Sequence, residues 1–318
     1  MYRDKTVAVV VPAYNEEVLI RTVIETMPEF VDKIIVVNDK STDNTATVVR
    51  EYVSRDPDCV VLVDLEENQG VGGAIAEGYK FARDNQIDCT AVMAGDAQMD
   101  PGDLPKLLDP VIEDRADYTK GNRLFYGDAW HMIPKVRYLG NSGLSLLTKI
   151  ASGYWHVADS QTGYTVASLE VLKTLDLDKI YKRYGMPNDM LVKLNVYDFR
   201  VKDVHVKPVY NVGEKSGIRI RKVLFTIPLL LFRLFLYRMV QKYVIRNTHP
   251  LVFFYLLGGF MLFIDIPLAL RLLYRWALNA SVTVENVSAV LFCAFMGFQS
   301  ILFAMLFDME ANKDLQGK

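Results

Sequence analysis

Little in this sequence could build a disulfide framework or a zinc centre. Its three cysteines, Cys59, Cys89 and Cys293, lie far apart in 318 residues and in no metal-type spacing, which fits a reducing compartment. The four histidines, His131, His156, His205 and His249, are equally scattered, so no zinc site is readable. Basic excess is missing too: the formal net charge is −2 and the pI is near 6.1, a balance that predicts no nucleic-acid partner. Two glycine-rich phosphate cradles are absent. The first strand-like run ends in Pro12, Ala13, Tyr14, Asn15 and Glu16 rather than GxGxxG, and GxxxxGK[ST] occurs nowhere, which excludes the usual dinucleotide fingerprint and the P-loop. A bound nucleotide must then be held by a carboxylate and side-chain polar groups.

Disorder is excluded by a hydrophobic content of 51%, enough for a sizeable core. That content is unevenly spread. Up to residue 218, short apolar runs alternate with polar segments, whereas residues 251–270 carry Asp265 as their single charge and residues 287–307 carry none. Each is long enough to cross a bilayer's hydrocarbon core, which takes about 20 helical residues. Two transmembrane helices are expected. Residues 222–246 are as apolar but are interrupted by Arg233, Arg238, Lys242 and Arg246, a pattern that predicts an amphipathic helix lying in the headgroup plane with its arginines among phosphates. Basic residues crowd 219–246, so the positive-inside rule puts the N-terminal domain in the cytoplasm, and two spans return the C-terminal tail to that side. The expected organisation is a catalytic domain over 1–218, a juxtamembrane helix over 219–248 and a two-helix membrane domain over 249–318, multi-pass in the plasma membrane. Asp265 with Pro267 fits either a functional kink or a contact between helices. Chains of this kind often associate, which leaves a homo-oligomer open.

The opening run, MYRDKTVAVVVPAYNEE, is too short an apolar stretch for a signal peptide and reads as a first strand. Further strands are expected at 33–37, 59–64 and 89–93, with helices at 18–27, 44–55 and 71–85 between them. Such alternation predicts a parallel α/β sheet, whose ligands sit beyond the carboxyl ends of the strands. Polar clusters stand at those ends: PAYNEE, NDKSTDNT, ENQGVGG and GDAQMDP. In the last, Asp96, Gln98 and Asp100 are spaced two apart, so Asp96 and Gln98 can reach one ion from the same side of an extended stretch. Mg²⁺ or Mn²⁺ takes such oxygen ligands. A turn and helix cap over 96–100 is the bland alternative. Asp39 and Ser41 can likewise cap the helix near Asn44, and Gly70, Gly72 and Gly73 suit either close approach to a ligand or a tight strand-to-helix turn.

PAYNEE, VVNDKSTDNT, NQGVGGAIAEGYKFA and MAGDAQMDP, followed by GNR at 121–123, DSQTGY at 159–164 and YNVGEKSGIR at 210–219, resemble the inverting glycosyltransferases of the A-type fold. Within them the chain is most similar to the polyprenyl-phosphate glycosyltransferases, relatives of dolichyl-phosphate mannose synthase and of bacterial undecaprenyl-phosphate glucosyltransferases. The resemblance covers most of residues 5–220 and implies a Rossmann-like GT-A domain with a mainly parallel sheet, followed by the interfacial helix and two spans. It implies that Pro12, Tyr14, Glu16, Asp39, Gly72 and Asp96 bind the nucleotide sugar, with Asp39 accepting from the base. Asp96 and Gln98 would hold the metal, and Asp96, Asp159 and Arg123 would be catalytic. Arg123, Arg137, Lys215, Ser216 and Arg219 match the region that receives the acceptor phosphate, for which Arg suits bidentate contact. The family motif usually reads Asp-x-Asp-x-Gln and here begins at Ala94, so one carboxylate is missing and the ion has fewer protein ligands or a neighbour such as Asp100 contributes. A lipid phosphate is already anionic near neutral pH, so Asp159 is expected to orient the acceptor or the sugar hydroxyls; a role as base stays open. The expected reaction is metal-dependent inverting transfer of a hexose from a nucleoside diphosphate sugar, UDP-glucose first and GDP-mannose second, to polyprenyl phosphate. Its product would feed extracytoplasmic glycosylation. Transfer to another lipid or polysaccharide acceptor, or a catalytically silent membrane scaffold, are the rival readings.

Overall fold

A computed structural model of the chain describes residues 1–124, 135–209 and 220–318, without the side chains of residues 135–139, 141 and 220–225. It contains two compact units, one formed by Met1–Leu236 with Asp314–Lys318 and the other by Tyr237–Lys313.

In the first unit, strands β1 (Val7–Ala13), β2 (Lys33–Asn38), β3 (Val60–Asp64) and β4 (Cys89–Val92) alternate with helices α1 (Ile20–Glu25), α2 (Thr45–Arg55) and α3 (Val71–Asp84). These strands lie parallel in the order β3-β2-β1-β4. Val7, Val9 and Val11 of β1 enter one hydrophobic core, while Ala8 and Val10 enter the core on the other face. A strand covered on both sides has no polar face to show, hence the unbroken valine run. Gly78 on α3 lets that helix settle onto the sheet, since a β-carbon there would stand 2.3 Å from Val10 Cγ1.

Beyond β4 come α4 (Leu104–Ile112), β5 (Tyr118–Asn122), α5 (Lys135–Ser152), β6 (Thr165–Ser168), α6 (Leu169–Thr174), α7 (Met186–Val196) and β7 (Val201–His205). The full order is β3-β2-β1-β4-β6-β5-β7. β6 runs antiparallel to both of its neighbours, whereas β5 and β7 pair parallel; the sheet is mainly parallel, as expected, with β6 as its reversed strand. The C-terminal residues cover the edge strand: Gly317 N–H donates to the Val201 carbonyl at 3.0 Å and Lys318 N–H to that of Arg115 at 3.0 Å.

Helix α8 (Ile220–Val240) runs through the unit boundary. Ile227, Leu231, Leu234 and Arg238 are buried on it, a spacing of three and four that marks one helical face. Leu229, Phe232 and Leu236 are exposed, as an apolar face turned toward lipid would be. A π-helical segment, Gln241–Arg246, follows. The second unit then contains α9 (Leu251–Ala277) and α10 (Val284–Ala311), 27 and 28 residues long and apolar enough to cross a membrane. Many of their large side chains point outward, Phe263 at 74% and Phe295 at 65% exposure among them, unlike the core helices of a soluble protein. Gly258 and Gly297 let the pair touch, since a β-carbon at Gly258 would lie 2.9 Å from the Gly297 carbonyl oxygen.

One expectation is corrected here. Arg238 and Lys242 do not lie among headgroups: both are buried inside the second unit, where Arg238 binds Asp308 and Lys242 donates to Asn312 Oδ1 at 2.9 Å.

Candidate active site

The loops leaving β1 and β2 are sewn together by side chains. Asn15, at φ +58°, accepts from Thr42 N–H at 2.8 Å and donates its own backbone N–H to Ser41 Oγ at 3.0 Å. Asn tolerates that left-handed conformation better than most residues. Glu16 N–H donates to Thr45 Oγ1 at 2.9 Å, and Asn44 N–H to Glu17 Oε2 at 3.0 Å. The first turn of α2 is capped by Asp43, whose Oδ1 accepts from Thr45 N–H at 3.0 Å; neither Asp39 nor Ser41 is that cap. Pro12 is thereby fixed at the end of β1, and Tyr14 stands exposed at the rim.

Asp39 is buried, and its carboxylate closes the loop after β3: Oδ1 accepts from Gln69 N–H at 2.6 Å and Oδ2 from Gly70 N–H at 2.8 Å. Burial pushes its pKa above the ordinary value, although the two backbone donors and Arg183 pull the other way. Each oxygen keeps a second lone pair for a base N–H, so an engaged Asp39 still suits the expected role. At Gly72 the space beside the backbone is taken by the protein itself. A β-carbon there would lie 2.2 Å from the Tyr181 carbonyl oxygen and 2.8 Å from Met186 Cβ, so the close approach read from the sequence is made by the protein's own segment 181–186.

At the end of β4 the chain turns sharply. Gly95 N–H donates to the Pro12 carbonyl at 3.3 Å, Ala97 adopts φ +56°, and Gln98 N–H donates to Asp96 Oδ1 at 3.1 Å. Asp100 caps the 3₁₀ turn Pro101–Asp103 by accepting from Gly102 N–H at 2.8 Å. The cap reading therefore holds for Asp100, while Asp96 and Gln98 line a cleft together with Met99, Arg123, Thr162, Tyr164, Val206 and Lys207. Glu16 stands nearby: burial first, then the charges of Asp96 and Asp43, push its carboxyl up to about 7.

Beneath the cleft lies a network of buried charge. Asp159, fully buried, holds Arg123 through Oδ2–Nε at 2.8 Å and Oδ1–Nη2 at 3.3 Å. Burial alone would raise Asp159, but the Arg123 and Lys120 charges outweigh it and its pKa falls below the ordinary value. Lys120, also buried, donates to the Thr162 carbonyl, and burial lowers its pKa to about 8 against the pull of Asp159 and Asp203. Asp203 accepts from Asn122 Nδ2 at 2.7 Å and Ala158 N–H at 3.0 Å.

Of the residues expected from sequence, Asp96, Gln98 and Arg123 meet in one cleft with Asp159 behind them. The Arg137 side chain and Lys215, Ser216 and Arg219 lie outside the described residues. Lys120, Thr162, Asp203 and Lys207 were missed; the KGN of 120–122 beside Arg123 was the available signal for one of them.

Among the described residues no group of three His, Cys, Asp or Glu side chains could enclose a metal ion. The donor set nonetheless fits a magnesium-like ion, which takes one or two protein oxygens and completes its shell with phosphate and water. The raised carboxyl of Glu16 beside Asp96 marks negative potential that a cation would relieve, while the buried Gln98 Nε2, a donor without a partner among the described residues, suits a ligand oxygen rather than the ion itself.

A family model described as Glycosyl transferase family 2 matches residues 8–176. The UDP-N-acetylglucosamine–dolichyl-phosphate N-acetylglucosaminyltransferase of Methanococcus voltae is 30% identical over 68% of this chain and 92% of its own length. The undecaprenyl-phosphate mannosyltransferase of Micrococcus luteus is 28% identical over 63% and 82%, respectively. Glucosyl-3-phosphoglycerate synthase of Mycobacterium tuberculosis, solved with Mn²⁺, UDP and phosphoglyceric acid, shares the fold: TM-score 0.54 at 21% identity, over 74% of this chain and 78% of that one.

Proposed function

This chain belongs to glycosyl transferase family 2, and on that premise we propose that it moves a hexose-type sugar from a nucleoside diphosphate to polyprenyl phosphate, inverting the anomeric carbon. The reading rests above all on the cleft in which the Asp96–Gln98 turn and Arg123 come together. It is supported by the lipid-phosphate acceptors in the names of the relatives from Methanococcus voltae and Micrococcus luteus. The chain leaves the first unit after Leu236 and returns to it at Asp314. Such a path takes an even number of crossings, which supports two spans with the catalytic domain and the tail on one side; the basic residues of 219–246 favour the cytoplasmic side.

In the reaction, an oxygen of the lipid phosphate forms a bond to the anomeric carbon as the bond to the diphosphate breaks, and the electron pair leaves with the nucleoside diphosphate. Asp96 and Gln98 would hold Mg²⁺ or Mn²⁺, which when bound supplies charge neutralisation at the leaving diphosphate. Asp39 and the Pro12–Glu16 turn hold the nucleoside end. A phosphate monoester is anionic already, and a carboxylate paired to Arg123 with a lowered pKa is a weak proton acceptor. Asp159 therefore orients Arg123, whose fork of donors suits the acceptor phosphate.

The test is conversion of polyprenyl phosphate to a lipid-linked sugar with labelled UDP-glucose, GDP-mannose and UDP-N-acetylglucosamine, with and without EDTA. One donor should give a product that EDTA abolishes. The absence of lipid-linked product from every donor overturns the reading.

A further inference from the structure

The cleft contains a second cation that no motif announces. Lys207 lines it beside Asp96, Gln98 and Arg123, two residues after the end of β7. Its backbone is held from two directions. Val206 N–H continues the ladder to the Asn122 carbonyl at 3.0 Å, and Lys207 N–H donates to Asp103 Oδ2 at 2.8 Å. Asp103 is 5% exposed and belongs to the stretch that begins with the Asp96 turn, so one loop positions both. The side chain differs from its backbone. Lys207 is exposed, and its ammonium makes no hydrogen bond or ion pair among the described residues.

The neighbouring cation is not in that state. Arg123 is bound to the buried Asp159 carboxylate, which offsets much of its charge. A cleft lined by a carboxylate, a side-chain amide and an ammonium that has no partner among the described residues selects a ligand that is anionic yet able to share a cation. A phosphate group bridging a divalent ion and a lysine is such a ligand, and an ammonium with three donors can meet its oxygens without a fixed fork.

We propose that Lys207 is a phosphate-binding residue of this cleft, contacting the diphosphate of the sugar donor. The inference rests on the reading of the chain as a nucleotide-sugar transferase and deepens it. A phosphate oxygen could also come from the lipid acceptor, and the experiment separates the two sources.

Binding of UDP and of GDP to the full-length protein in detergent, in the presence of Mn²⁺, is measured by calorimetry for wild type, Lys207→Met and Lys207→Arg, with uridine and guanosine as controls. The KM for polyprenyl phosphate is measured on the same three proteins. Lys207→Met should weaken diphosphate binding roughly tenfold, as expected for one charge-assisted contact at a partly exposed site, leave nucleoside binding unchanged, and be rescued by Lys207→Arg. The wild-type advantage should shrink as salt is raised from 50 to 500 mM, roughly the range over which screening shortens from beyond 10 Å to a few ångströms. A raised KM for the lipid with unchanged diphosphate binding moves the contact to the acceptor phosphate and overturns the donor assignment. No change in either quantity overturns the proposal. A wild-type protein that binds neither diphosphate overturns the transferase reading and this inference with it, an outcome distinguished by the wild type alone.

Discussion

Arg238 and Asp308, 70 residues apart, face each other as a two-pronged ion pair, Nη1–Oδ1 at 2.7 Å and Nη2–Oδ2 at 2.9 Å, with neither side chain reaching the surface. Tyr243 donates to Asp308 Oδ1 at 2.8 Å, and Asn312 Nδ2 donates to the Tyr243 hydroxyl at 2.7 Å, so the pair sits in a network of hydrogen bonds. The last turn of α8 is thereby fastened to the end of α10.

Removing one partner leaves an uncompensated buried charge, which costs about 3–5 kcal/mol, whereas removing both and restoring volume costs far less. Arg238→Met and Asp308→Leu should each lower the unfolding temperature in detergent sharply, and the double variant should recover much of that loss. Additive losses in the double variant would show that the pair is not coupled. Transfer activity of the solubilised double variant should stay close to wild type, because neither residue belongs to the cleft.

Asp96→Asn keeps the shape of the turn and its bond from Gln98 N–H but removes the carboxylate charge. Turnover should fall by roughly 10²–10³-fold, the scale on which a single electrostatic contact to developing charge is lost. Mn²⁺ binding, followed by electron paramagnetic resonance with nucleotide present, should weaken in parallel while the unfolding temperature holds. Retained turnover would remove Asp96 from the site.

Which parts of this arrangement were legible beforehand follows from burial. Strands β1, β2 and β4 are covered on both faces, β1 and β2 appearing as valine and isoleucine runs and β4 as the short buried run CTAV, and their ends could be read to within a residue or two. The Asp96 turn stood out because oxygen-bearing side chains broke such a run. β5 did not stand out. Its YTKGN carries Lys120 and Asn122, both buried, so its polar residues gave no strand signal although they lie under the site. Thr162 and Lys207 reach the cleft only because β6 turns antiparallel between β4 and β5, a pairing that no local pattern encodes. Arg238 was read as a headgroup contact because its partner, Asp308, is 70 positions away.

Gly72 illustrates a different limit, since its need for space was readable but its neighbour was not. The Tyr181 carbonyl stands where a β-carbon would go, and backbone there cannot rotate aside. Gly72→Ala should destabilise the first unit by about 2–3 kcal/mol, at the upper end of what overpacking costs, lowering the unfolding temperature by roughly 4–12 °C. Nucleoside binding should weaken as well, because the Gln69 and Gly70 amides that hold Asp39 lie in the same loop. Calorimetry on the purified variant checks both effects, and unchanged stability would mean that segment 181–186 yields easily.

Glu16 supplies a pH dependence with a definite sign. Its carboxyl is raised from the ordinary 4.5 to about 7, by burial first and then by Asp96 and Asp43. Between those values the folded protein keeps a proton that the unfolded chain has already lost. Stability contributed by the protonated form is therefore present below pH 4.5 and is lost as pH rises through 7. Glu16→Gln, which cannot ionise, should match wild type near pH 4.5 and exceed it at pH 8, by about 1 kcal/mol once solvent screening at this half-buried site is allowed for. Urea unfolding of metal-free protein across that range measures the difference. Adding Mn²⁺ at pH 8 should narrow the gap, because a cation at Asp96 relieves the repulsion that raised Glu16. A gap that opens toward low pH instead would contradict the carboxyl's raised state.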